Sequence, residues 1–106
     1  MLLIRKAVPA DAGRLKELYF EHLTAHPPEE QQDMARWREL LSRFAEDENY
    51  HLLVGELDGE IVSSVTLVIV ENLTHNLRPY AVIENVVTHQ NHRGRRFATA
   101  MMDRAA

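Results

Sequence analysis

Three arginines fall within four residues, Arg93, Arg95 and Arg96 around Gly94. They follow a β-type run, YAVIENVVT (80–88), and a polar stretch, HQNHR (89–93), and they precede the small residues Ala98, Thr99 and Ala100. A helix that opens here exposes backbone N–H groups with no intrahelical partner, and its dipole favours an anion at that end. Cations at the same end are unfavourable by about 0.3–1 kcal/mol each. A phosphate or pyrophosphate offsets that clash, so the cluster points to a phosphorylated ligand; the competing reading is three solvated arginines on a surface loop. Other chemistry-bearing residues form weaker patterns. His22 and His26 have the i, i+4 spacing that can ligate a metal on a helix, but His26 abuts Pro27-Pro28 and no third ligand is evident. His89 and His92 sit beside the arginines, and His51 and His75 belong to no pattern. Ser63 and Ser64 lack the Asp and His partners of a hydrolase triad. With no cysteine in the chain, thiolate catalysis, disulfides and Cys-based metal centres are excluded.

The elements that must position these groups can be read from periodicity. Met1 to Val8 alternates and reads as a short strand ended by Pro9. Asp11 suits a helix's first turn, and Leu15, Leu18, Tyr19, His22 and Leu23 give an amphipathic helix that stops at Pro27-Pro28. Glu29, Glu30 and Asp33 open a second helix, whose apolar stripe is Met34, Trp37, Leu40, Leu41 and Phe44. The period then changes to two: Tyr50 to Leu57 and Glu60 to Val70 are strands joined by Asp58-Gly59, a pair suited to a type I′ turn. Glu71 to Arg78 is a loop, Tyr80 to Thr88 a third consecutive strand, and Phe97 onward an Ala- and Met-rich helix. Consecutive antiparallel strands with the helices segregated from them predict an α+β fold in one domain, residues 1–106.

Composition narrows the function classes. The 106 residues are 45% hydrophobic and 26% charged with a net charge of -4, ordinary values for a globular chain and unlike those of a general nucleic-acid binder. The longest apolar-rich run, Ile61 to Val70, is far short of the roughly 20 residues of a membrane span. MLLIRK places its cations after its apolar residues, the reverse of a signal peptide. These features, with the lack of cysteine, predict a cytoplasmic protein that engages neither nucleic acid nor membrane.

The segment IENVVTHQNHRGRRFATAMM resembles the central motif of the GCN5-related N-acetyltransferases (GNAT). In that family a bulged strand runs into a pyrophosphate-binding loop of pattern Arg/Gln-x-x-Gly-x-Gly/Ala and then a helix. Arg93, Arg96 and Ala98 stand at the three marked positions, with Arg96 where the family has Gly. Arg96 can obstruct close approach of a phosphate to the backbone or pair with it through its fork of donors. LLIRKAVPADAGRLKELY is similar to the family's first strand and helix, and Asp58-Gly59 falls where its hairpin is expected. The family domain continues with a further strand, helix and strand, so the resemblance implies a GNAT-like sheet shortened at its C-terminus. The family's usual acid, a Tyr on a later helix, has no counterpart here.

The resemblance implies transfer of an acetyl group from acetyl-CoA to an amine of a small molecule or peptide. It places the cofactor beside the strand ending at Thr88, with the main chain of Val87, Thr88 and His89 pairing with the pantetheine arm. The pyrophosphate would rest on the N–H groups of Arg93, Gly94, Arg95, Arg96, Phe97, Ala98 and Thr99. Glu84, three residues before Val87, is the implied base that takes the amine proton, with Tyr80 a weaker candidate. The second reading is an acyl-CoA-binding or interaction module without turnover. The outer edge of Tyr80–Thr88 offers a template for strand pairing, hence for a homo-oligomer.

Overall fold

The computed structural model describes residues 2–23 and 32–92. Strand β1 (Leu3–Lys6) leads through a short 3-10 turn (Pro9–Asp11) into helix α1 (Ala12–His22). Helix α2 (Met34–Glu46) follows, then strands β2 (Tyr50–Leu57), β3 (Glu60–Val70) and β4 (Tyr80–Thr88). The four strands form an antiparallel sheet in the order β1-β2-β3-β4. This is the α+β arrangement that the sequence predicts. The expected closing helix from Phe97 and the Arg93–Thr99 loop lie outside the described residues, as do His26, Pro27-Pro28, Glu29 and Glu30.

Local chemistry accounts for the elements. Asp58 and Gly59 both have positive φ, 53° and 82°, as a type I′ turn requires, and β2 and β3 pair on either side of it. Asp33 caps α2 by accepting a hydrogen bond from the Arg36 N–H at 3.2 Å. Asp11 lies in the first turn, as expected: it closes the 3-10 segment and stands at the N-cap of α1. Its carboxylate makes no capping bond to α1; it accepts from the Val8 N–H (2.8 Å) and takes the Arg5 fork at 2.7 and 2.9 Å. Arg5 Nε also donates to Glu56 Oε1 at 3.0 Å, so one guanidinium ties β1, the turn before α1 and β2 together.

The core lies between one face of the sheet and the two helices. Leu15, Leu18 and Leu41 from the helices meet Leu52, Val54, Ile61 and Val87 from the strands, all buried. A smaller cluster, Leu53 and Val65 with Ile4, occupies the opposite face. Ser63 and Ser64 are wholly buried in β3 and satisfied there: Ser63 Oγ donates to the Val87 carbonyl (3.0 Å) and Ser64 Oγ to the Leu53 carbonyl (3.0 Å).

Candidate acetyl-transfer site at the bulged strand

Strand β4 carries an extra residue. Thr66 pairs with Glu84 and Ser64 with Val87, so one β3 residue, Val65, faces two on β4, Asn85 and Val86. Asn85 has φ of 50°, the left-handed conformation that Asn tolerates better than most residues. The consequence is one of parity. Glu84 and Val87 are three residues apart and would point to opposite faces of an unbroken strand. The added residue returns both to the helix side: Val87 is buried in the core, and Glu84 shares a row with Leu52 and Thr66 across three strands. Glu84 itself is exposed. Its charge is felt by Tyr50 on the same face, whose pKa is raised by burial first and by the Glu84 carboxylate second.

Beneath Glu84, between the helices and the sheet, lies a cleft of about 210 Å³. Tyr19, Trp37, Phe44 and Tyr50 line it, with Thr66 and Asn85 on its β3–β4 side. Phe44 and Tyr50 stack at a centroid distance of 4.0 Å, and Tyr19 and Trp37 stand 6.3 Å apart. The Tyr19 hydroxyl is 3.5 Å from Ser64 Oγ; burial raises its pKa more than its Ser64 and Thr66 neighbours lower it. Thr66 Oγ1 is buried and makes no hydrogen bond of normal geometry.

At its C-terminal end β4 remains tied to β3 through the His89 N–H, which donates to the Val62 carbonyl at 2.7 Å. Antiparallel alternation then directs the main chain of Val87 and His89 inward and that of Thr88 toward the outer edge. Among the described residues no strand pairs that edge. Of the three residues expected along a pantetheine arm, therefore, the edge-facing one is Thr88, with the Asn85–Val86 bulge next along the strand. His89 is held by its neighbours: its carbonyl accepts from the His92 N–H (2.8 Å) and its Nδ1 from the Asn91 N–H (3.1 Å). The His22 ring lies 4.2 Å from the His89 ring; His26, its i+4 partner in the metal reading, lies outside the described residues. Tyr80 is exposed at the far end of β4, well along the strand from the bulge.

Arg93, Gly94, Arg95, Arg96, Phe97, Ala98 and Thr99 lie outside the described residues, so the site's phosphate end rests on the sequence. Periodicity missed Asn85, Thr66 and the aromatic cleft. One signal was present: Asn is disfavoured in strands, and a lone Asn among β-branched residues marks a place where the chain leaves regular β geometry.

The profile of the Acetyltransferase (GNAT) family matches residues 14–106. The chain belongs to the GNAT acetyltransferase family. Among solved structures, a protein from Agrobacterium tumefaciens str. C58 assigned as an acetyltransferase is 35% identical, with a TM-score of 0.81 over 97% of this chain and 69% of its own. An acetyltransferase of Trypanosoma brucei is 24% identical (TM-score 0.80, covering 98% and 71%). Glucosamine-6-phosphate N-acetyltransferase from Arabidopsis thaliana is 19% identical (TM-score 0.82, covering 97% and 70%). The last two likenesses speak to the GNAT fold alone. No curated protein matches the chain.

Proposed function

We propose that this GNAT chain transfers the acetyl group of acetyl-CoA to a primary amine of a small molecule or peptide, with Glu84 as the base. The observation that supports the reading is the β4 bulge at Asn85, which turns Glu84 to the helix side of the sheet on a strand whose outer edge no other described strand pairs. The pantetheine arm runs along that edge at Thr88 and the bulge, and the backbone N–H groups of Arg93 to Thr99 hold the pyrophosphate. A backbone N–H near Val87 polarises the thioester oxygen.

An amine attacks only when neutral. Glu84, exposed and on the cleft side, accepts its proton directly or through a water. The new N–C bond forms as the C–S bond breaks, and coenzyme A leaves as the thiolate or, once protonated, the thiol. Two measurements test the reading. Calorimetric titration with acetyl-CoA gives a saturable heat if the edge binds the cofactor. Thiol release in the presence of an amine panel then reports turnover. Binding without release favours the non-catalytic module, and no heat removes both.

A further inference from the structure

The cleft beneath Glu84 is sorted by polarity. Its β3–β4 end carries Asn85, Thr66 Oγ1 and the Tyr19 hydroxyl, which is 3.5 Å from Ser64 Oγ; Glu84, which precedes Asn85 and pairs with Thr66, is exposed on the same face of the sheet. Its α2–β2 end is built from Trp37, Leu40, Phe44, Tyr50 and Leu52. Among the described residues, none of those lining the cleft carries a charge. A polycationic acceptor, or a polyhydroxylated amino sugar, would bury polar groups against these rings without partners, which is costly. Size points the same way. A cavity of about 150 Å³ lined by apolar side chains holds a benzene molecule; this one measures about 210 Å³.

We propose that the cleft is the acceptor's specificity pocket and selects a monocationic primary amine bearing one aromatic ring. The ring lies against Trp37 and the Phe44–Tyr50 stack. The nitrogen sits at the polar end, where Thr66 Oγ1 lacks a hydrogen bond of normal geometry and Glu84 can take its proton. Ring faces stack or meet edge to face with the aromatic wall. The inference rests on the acetyl-transfer reading above, which names the site but not the acceptor.

Trp37 is the chain's single tryptophan and lines the cleft, so its emission reports occupancy without turnover. Phenethylamine, spermidine and glucosamine are the probes, titrated against the full chain. The expected result is a saturable change in Trp37 emission with phenethylamine alone. Leu40→Gln, which places an amide on the apolar wall at a half-buried position, weakens that binding about tenfold or more. A melting temperature for Leu40→Gln close to the parent's would show that the loss is local. No saturable change with phenethylamine, or an equal one with spermidine or glucosamine, overturns the proposal. The two readings can fail separately. If phenethylamine binds but releases no thiol from acetyl-CoA, the cleft's selection of an aromatic monoamine stands and the transfer reading falls. If spermidine or glucosamine is acetylated while phenethylamine neither binds nor reacts, transfer stands and the pocket assignment falls.

Discussion

Glu84→Gln keeps the side chain's size and removes its basicity, so it isolates proton transfer from packing. Positioned general bases contribute about 10²–10⁴-fold to rate. The expected outcome is a fall in kcat of roughly 10²-fold or more, with the heat of acetyl-CoA binding unchanged because Glu84 faces the cleft and not the outer edge. Thiol-release kinetics read the first effect and calorimetry the second; a variant with wild-type kcat removes Glu84 from the mechanism. A second carboxylate acts on stability. Burial alone would raise the pKa of Asp11, but the Arg5 fork and the Val8 N–H more than reverse this and hold it below the usual range. A carboxylate depressed on folding stabilises the native state above its unfolded value of about 3.9, and that contribution is lost as pH falls through the lower folded value. Asp11→Asn should therefore cost about 1.5–3 kcal/mol at neutral pH, the range for hydrogen bonds to charged groups. The difference from wild type should shrink in acid below about pH 4. Chemical denaturation at several pH values checks both the size and the sign.

Among the elements, β4 shows most clearly what local sequence encodes and what it does not. Asp58-Gly59 was legible because a type I′ turn makes a two-residue demand that two residues meet. The α2 stripe was legible because 3.6-residue periodicity repeats within one helix, and Leu41 is indeed buried with Met34, Trp37 and Phe44 packed around the core. The bulge was legible only through resemblance. Its location depends on which β3 residue each β4 residue faces, a pairing between segments some twenty residues apart that alternation alone does not fix. The link from Arg5 to Glu56 spans 51 positions and was invisible for the same reason. The phosphate end of the site was the converse case, suggested by residues 93–99 before any geometry. The bulge can be tested as an element. Deleting Asn85 leaves Glu84 two residues before Val87, so both still face the helices on an uninterrupted strand. It also removes a non-glycine residue from the left-handed region, a conformation that costs about 1–3 kcal/mol. The expected deletion variant is folded, with a melting temperature equal to or above the parent's, yet with sharply weakened acetyl-CoA binding because the edge is now regular. Thermal melting paired with calorimetry decides it; undiminished binding would show that the cofactor does not need the bulge.

At the scale of the whole molecule, the outer edge of β4 must serve two demands. Tyr80, Ile83 and Val86 are 53%, 49% and 39% exposed along a strand that no other described strand pairs. An edge strand with exposed apolar side chains that no described strand pairs is a template for a second copy of the chain. If acetyl-CoA lies along the same edge at Thr88 and the bulge, the two occupants exclude one another, and exclusion is reciprocal in free energy. Light scattering on the 106-residue chain should then show association that grows with concentration and recedes when acetyl-CoA is added. Ile83→Lys, which places a cation at a half-exposed position on the face of β4 opposite α1 and α2, should keep the chain monomeric while leaving the cleft intact. The linkage also runs backward: the apparent affinity for acetyl-CoA should fall as the wild-type concentration rises and stay constant in Ile83→Lys. A strictly monomeric wild type across the concentration series would break the argument at its first step. Association that ignores acetyl-CoA would break it at the second, placing the contact on a surface other than the cofactor's edge.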